Sequence, residues 1–366
     1  MDIEGLQATW ETLESERLKH AAEFSLHALA RYAIGQKLME WAQGGERVED
    51  ARLQTEVGGL LLENPVLVGA GWDKKGWAVD GLYALGFAGT EVGTVTVHPQ
   101  PGNPQPRMWY KSGAGLNQLG FNSPGMEKVA GYLDAQKQRP GGLHQGKVGI
   151  NVGKNKLTPD EHAPWAHAAV ADRLYDYADY FVLGVSSPNT PGLRGLLKPK
   201  PLTEIVQAVQ EVIHAKGDKP LYVKTTIDLS PDDLDSVLAV CLGNNVTGII
   251  DSNTTVADDL KALYGWQGQA GGLSGDVPRY RQVVTERMKY ITRATRGTGL
   301  QRIGVGGIND SRTAIERMEA GAQAVQVVTG IRQRKGRIAH DINEGILSYL
   351  DQTGAQSVQD LIGVAA

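Results

Sequence analysis

The chain has 366 residues, 41% of them apolar and 21% charged, with a formal net charge of −4. These values are ordinary for a globular protein and exclude a basic field that would recruit nucleic acid. A chain of this length can bury a sizeable core without staples, and its single cysteine, Cys241, rules out an internal disulfide or a cysteine-rich metal site.

Residues 1–55 differ from the rest. Leu18, Ala22, Leu26, Leu29 and Ala33 follow helical spacing. Gly35 interrupts, and Leu38, Met39 and Trp41 continue a second short segment that ends near Gly44 and Gly45. A helical hairpin with an apolar face is predicted, either packed on the main domain or lying in a membrane interface. The acidic start Met1-Asp2-Ile3-Glu4 lacks the features of a signal peptide, and no run approaches the roughly 18 apolar residues of a spanning helix. The cytoplasm, or the cytoplasmic side of a membrane with peripheral attachment, is the expected location.

From residue 56 to 366, short apolar runs alternate with helical stretches. The predicted strands are 65–69, 86–92, 147–150, 180–184, 220–223, 247–250, 301–305 and 324–328. Helices are expected over 76–85, 165–177, 202–214, 231–242, 311–320 and 338–350. Such alternation implies a parallel sheet, and eight strands fit a closed (β/α)8 TIM barrel. An open doubly wound sheet is the alternative. Two long connections, 94–146 and 254–300, imply function or extra structure. Cys241 lies in the apolar run Val237–Leu242 and reads as a core residue.

Polar or glycine residues follow every predicted strand. They are Asp73 and Lys74, then Thr94 and Thr96, then Asn151, then Ser186, Ser187, Asn189 and Thr190. Lys224, then Ser252, Asn253 and Thr254, then Gly306 and Gly307, and last Thr329 and Gly330 complete the series. In a barrel these share the rim where active sites lie. The glycines after the seventh and eighth strands can bring backbone N–H groups against a phosphate, aided by the helix that starts near Asp310. Glycine used only for tight turns is the plain alternative. The histidines show no metal-ligand spacing, and no metal is expected.

Several strings together resemble dihydroorotate dehydrogenase. They are AGWDKKG (70–76), EVGTVTVHPQPGNPQPR (91–107), NQLGFNSPG (117–125), GINVGKNK (149–156), VSSPNTPGLR (185–194), DSNTT (251–255), GGLSG (271–275), GVGGI (304–308) and AVQVVTG (324–330). ERLKHAAEFS (16–25) is similar to the start of the quinone-linked class 2 enzymes.

The resemblance implies oxidation of dihydroorotate to orotate in pyrimidine biosynthesis, with FMN as hydride acceptor and a membrane quinone as terminal acceptor. It implies that Ser187 is the catalytic base and that Lys74 neutralises the substrate carboxylate. Asn117, Asn189, Asn253 and Thr254 would hydrogen-bond the pyrimidine, and Gly120 and Phe121 would wall it. Ala70, Gly71 and Thr94 would border the flavin ring, with Asn151, Lys224 and Ser252 on its polar atoms. Gly275, Gly306, Gly307, Thr329 and Gly330 would hold the ribityl and phosphate end. A related flavin enzyme with another small substrate, or a flavin-binding non-catalytic homologue, is the alternative.

Four positions depart from the family pattern: Gly184 replaces an Asn, Ile227 a Pro, Val328 an aromatic residue, and Trp72 a smaller apolar residue. Gly184 removes a hydrogen-bonding amide, and an amide-sized space is expected there, filled by ordered water or, alternatively, taking a bulkier substituent of a different substrate.

Overall fold

The computed structural model describes residues 19, 21–23, 25, 45–138, 146–190 and 192–366. Of the predicted hairpin, Lys19, Ala21–Glu23 and Ser25 are helical. Leu18, Leu26, Leu29, Ala33, Gly35, Leu38, Met39, Trp41 and Gly44 lie outside the described residues.

The chain then enters a two-stranded hairpin, β1 (Thr55–Val57) and β2 (Leu60–Leu62). Its turn is Gly58-Gly59, both at positive φ, +62° and +78°, as a two-residue hairpin turn requires. The barrel strands follow: β3 (Val66–Val68), β4 (Gly89–Val95), β7 (Lys147–Val152), β8 (Tyr180–Leu183), β9 (Leu221–Thr226), β10 (Gly248–Asn253), β12 (Gln301–Val305) and β13 (Ala324–Val327). All neighbours pair in parallel. Pairing of Val325 with Val66 and of Val327 with Val68 closes the ring, which excludes the open sheet. The strands are buried on both faces, which is why they read as near-continuous apolar runs.

The barrel interior is filled by Leu67, Tyr180, Val182, Tyr222, Ile250 and Ile303, and the hairpin residues Val57 and Leu62 pack against them at the end where the strands start. Gly58 is needed there twice over, because a Cβ would sit 2.5 Å from the Tyr222 hydroxyl. Burial of each such aliphatic side chain contributes roughly 1.5–3 kcal/mol. Helices cover the outside. Cys241 is fully buried on the helix Pro231–Gly243, and burial pushes its thiol up to about 12, so it is core.

The two long connections contain what the sequence reading left unassigned. The first holds the helix Met126–Lys137, and the second holds the short helix Asp258–Ala262 and the longer Pro278–Ala294. Each also contributes to a three-stranded antiparallel sheet of β5 (Met108–Lys111), β6 (Ala114–Asn117) and β11 (Gly272–Gly275), in the order β11-β6-β5.

Candidate active site

Beyond the C-terminal ends of the barrel strands lies a cavity of about 710 Å³, and β5, β6 and β11 all contribute to its lining. This is the size range of small-molecule and cofactor sites. Every residue named above for catalysis, substrate or flavin lines it, from Ala70 and Gly71 through to Thr329 and Gly330.

At one end stand Ser187, Asn117, Asn189, Asn253, Thr254, Gly120, Phe121 and Lys74. The Ser187 hydroxyl accepts from the Asn189 N–H at 3.3 Å. Asn189 Nδ2 donates to the Asn117 carbonyl at 3.1 Å, and Asn253 Nδ2 to the Ser186 hydroxyl at 3.2 Å. Thr254 Oγ1 is buried with no partner among the described residues. Lys74 Nζ donates to Asn122 Oδ1 at 2.7 Å. Its neighbour Asp73 is fully buried and accepts from the N–H groups of Lys75, Gly76, Trp77 and Ala78, which fixes the loop carrying Lys74. Burial, and then the nearby Glu23, raise the Asp73 carboxyl above its usual range, while those N–H groups pull it down.

Deeper in the barrel, Lys224 Nζ meets Glu91 at 3.1 Å, and Asn151 accepts from the Thr94 hydroxyl at 2.6 Å. Glu91 and Gln326 were not singled out in the sequence. Their signal is the one charged residue in the buried strand Gly89–Val95, Glu91, and the one polar residue in Ala324–Val327, Gln326. Tyr280 lines the same space, and a Cβ on Gly306 would lie 2.5 Å from its hydroxyl, so only glycine fits there.

At the far end, Gly306 and Gly307 adopt φ of +95° and +73°. The guanidinium of Arg317, fully buried on the helix Ser311–Glu319, donates to the carbonyls of Val305 and Gly306, each at 3.1 Å. A trans peptide points its C=O and N–H in opposite directions. The N–H groups of Gly306 and Gly307 therefore face away from Arg317. The start of that helix carries a capping box, in which Asp310 accepts from the Thr313 N–H. Ser274 and Thr329 hydroxyls meet at 2.9 Å beside Gly275.

The expected space at Gly184 is not there. A Cβ would lie 2.4 Å from Asn151 Oδ1, 2.9 Å from the Val152 carbonyl and 3.0 Å from the Thr94 methyl. The Asn151 amide occupies that direction. Lys19, Ala22 and Ser25 line the cavity as well, and Lys19 Nζ donates to the Gly71 carbonyl at 2.6 Å.

The family model described as dihydroorotate dehydrogenase matches residues 52–350. The chain belongs to the dihydroorotate dehydrogenase family. A relative from Myxococcus xanthus, named dihydroorotate dehydrogenase (quinone), is 38% identical over 96% of this chain and 94% of its own. One of the same name from Thermosynechococcus vestitus is 37% identical over 95% of this chain and 94% of its own. The ligand-free crystal structure of the enzyme from Eimeria tenella superposes with a TM-score of 0.82 at 30% identity, covering 91% of this chain and 98% of that one. The Eimeria enzyme in complex with ferulenol gives a TM-score of 0.80 at 30% identity, over 91% and 95%. Family membership implies a flavin, and the donor set suits one. Amide and ammonium groups stand at one part of the cavity, and a glycine-rich backbone at another.

Proposed function

We propose that this protein oxidises (S)-dihydroorotate to orotate in pyrimidine biosynthesis, with FMN as the flavin and a membrane quinone as the final electron acceptor. The observation that carries this reading is that Ser187, Lys74, Asn117, Asn189 and Asn253 line one cavity together with Lys224 and Asn151. When bound, FMN supplies the hydride acceptor.

The residues of the chain have separate tasks. Ser187 takes the ring-carbon proton at its hydroxyl oxygen as it releases its own hydroxyl proton to a bound water, and the hydrogen bond from the Asn189 N–H fixes its position. Lys74 balances the substrate carboxylate. Asn117, Asn189, Asn253 and Thr254 pair with the ring amides, because a carboxamide and a hydroxyl each both donate and accept. Phe121, which is 8% exposed, and Gly120 exclude water from that end. The N–H groups of Gly306 and Gly307, with Gly275, Thr329 and Gly330, take the phosphate and ribityl end. Ala70, Gly71, Thr94, Asn151, Lys224 and Ser252 border the flavin ring.

The segment before residue 45 serves the quinone, and residues 45–55 join it to the barrel. The apolar stripe Leu18, Ala22, Leu26, Leu29 and Ala33 supports peripheral attachment to the cytoplasmic side of a membrane. Among the described residues no helix is long and apolar enough to cross one.

Anaerobic titration with dihydroorotate tests the reading directly. Full bleaching of a bound flavin is expected. A flavin that is present and does not bleach would remove dihydroorotate as the substrate.

A further inference from the structure

Below the cavity, four side chains from four strands meet inside the barrel: Glu91 on β4, Asn151 on β7, Lys224 on β9 and Gln326 on β13. The Glu91 carboxylate is fully buried and does not itself line the cavity, whereas the other three do. It accepts from Lys224 Nζ at 3.1 and 3.3 Å, from Asn151 Nδ2 at 2.6 Å, and from Gln326 Nε2. Lys224 also donates to Gln326 Oε1 at 3.2 Å.

This arrangement has two consequences. The first is geometric. Because Asn151 Nδ2 is taken by Glu91, its Oδ1 must face the Thr94 hydroxyl, which donates to it at 2.6 Å. The orientation of an amide that lines the cavity is thus set from below. The second is electrostatic. Lys224 would present a full positive charge to the cavity, and a carboxylate at hydrogen-bond distance offsets it. In a dry interior neither charge is screened by solvent.

We propose that Glu91 is a positioning residue that fixes Lys224 and Asn151 where they line the cavity and, through its charge, holds the reduction potential of a bound flavin below the value Lys224 alone would set. The proposal rests on the flavin reading above. Reduction adds negative charge to the flavin, so a buried carboxylate nearby opposes it and the ammonium favours it. The Glu91–Lys224 pair sets the balance between the two.

The test is the midpoint potential of the FMN-loaded protein, measured by spectroelectrochemistry without substrate or quinone. Glu91→Gln keeps the shape and removes the charge. It should raise the ratio of reduced to oxidised flavin at a fixed potential at least tenfold, about 30 mV for a two-electron couple. Gln326→Glu adds a second carboxylate beside Lys224 and should shift the ratio at least threefold the other way. Glu91→Asp keeps the charge and should stay within threefold of wild type. Shifts of one sign in Glu91→Gln and Gln326→Glu, shifts under threefold in both, or an Asp variant as displaced as the Gln variant would overturn the proposal. If Glu91→Gln yields no folded protein, the sign of the Gln326→Glu shift decides alone. Wild-type protein that binds no FMN overturns the flavin reading, and the proposal with it. FMN-loaded variants with unchanged potentials overturn only the proposal.

Discussion

Arg317 donates to the Gly306 carbonyl at 3.1 Å from a fully buried position. Burial lowers its guanidinium to about 10, against the pull of Asp251, so it stays charged near neutrality. Gly304 makes room for it, since a Cβ there would lie 2.3 Å from Arg317 Cγ. Two peptide units are thus turned with their N–H groups away from a buried cation, toward a place where an anion gains from both. Arg317→Lys cannot span both carbonyls. A hydrogen bond to a charged group contributes about 1.5–3 kcal/mol, so FMN affinity should fall about tenfold or more. Riboflavin, which lacks the phosphate, should bind as in wild type. Calorimetric titration of the apoprotein with both ligands checks this, and an equal loss for both would show a general structural effect.

Ser187 accepts the Asn189 N–H at 3.3 Å and is 7% exposed, held for one task at the substrate end. Ser187→Ala should slow flavin reduction by dihydroorotate about 10²–10⁴-fold while FMN stays bound. Stopped-flow absorbance gives the rate. A change below about threefold would assign the proton to another group.

The crowded surroundings of Gly184 reverse what the family pattern suggests. Restoring the family residue with Gly184→Asn forces its Cβ against Asn151 Oδ1 and the Val152 carbonyl, at 2.4 and 2.9 Å. Overpacking of this kind costs about 1–3 kcal/mol. The variant should melt at a lower temperature and reduce its flavin at least tenfold more slowly. Wild-type behaviour in both would mean that the Asn151 amide swings aside readily.

A deletion that isolates the quinone step should stop at residue 44. Arg47 stacks on Tyr83 with its guanidinium carbon 3.8 Å from the ring centroid, Arg52 pairs with Asp351 at 2.7 Å, and Leu53 is fully buried. These tie the following residues to the barrel. Without residues 1–44, flavin reduction by dihydroorotate should be kept, and turnover with a quinone embedded in liposomes should fall. Equal turnover before and after deletion would show that the segment does not serve the quinone.

Burial holds the His167 imidazole down at about 4, assisted by Lys154 and opposed by the Ala163 carbonyl that it bonds at 2.7 Å. The unfolded chain takes up this proton near pH 6.5, so between there and about 4 the unfolded state binds more protons. Stability is therefore full above 6.5 and falls as the pH drops through that window, by about 1.4 kcal/mol per unit. His167→Gln keeps a donor for Ala163 and does not titrate. Its loss of unfolding free energy between pH 7 and 5, from urea titrations, should be smaller by about 2 kcal/mol than that of wild type.

Much of this protein was legible in one dimension. The strand Gln301–Val305 was delimited residue for residue, and all eight barrel strands were found within a few residues. Strands buried on both faces announce themselves as largely apolar runs, and polar residues near or past their C-terminal ends mark the rim, Thr94, Asn151, Lys224, Ser252 and Asn253 lying within the strands rather than after them as the sequence suggests. The tertiary structure decided what depends on meetings between distant segments. Closure needed Val66 beside Val325. The short sheet needed Asn117 beside Gly272, in strands too short and glycine-rich to show a pattern. Glu91 became part of the site only by meeting Lys224, 133 positions away, and Gln326, 235 away. The space at Gly184 turned on where the Asn151 amide points, which the partners of that amide determine. A sequence specifies which groups are present and with what period. Which polar groups satisfy one another in a buried interior is fixed only when the chain has closed around them.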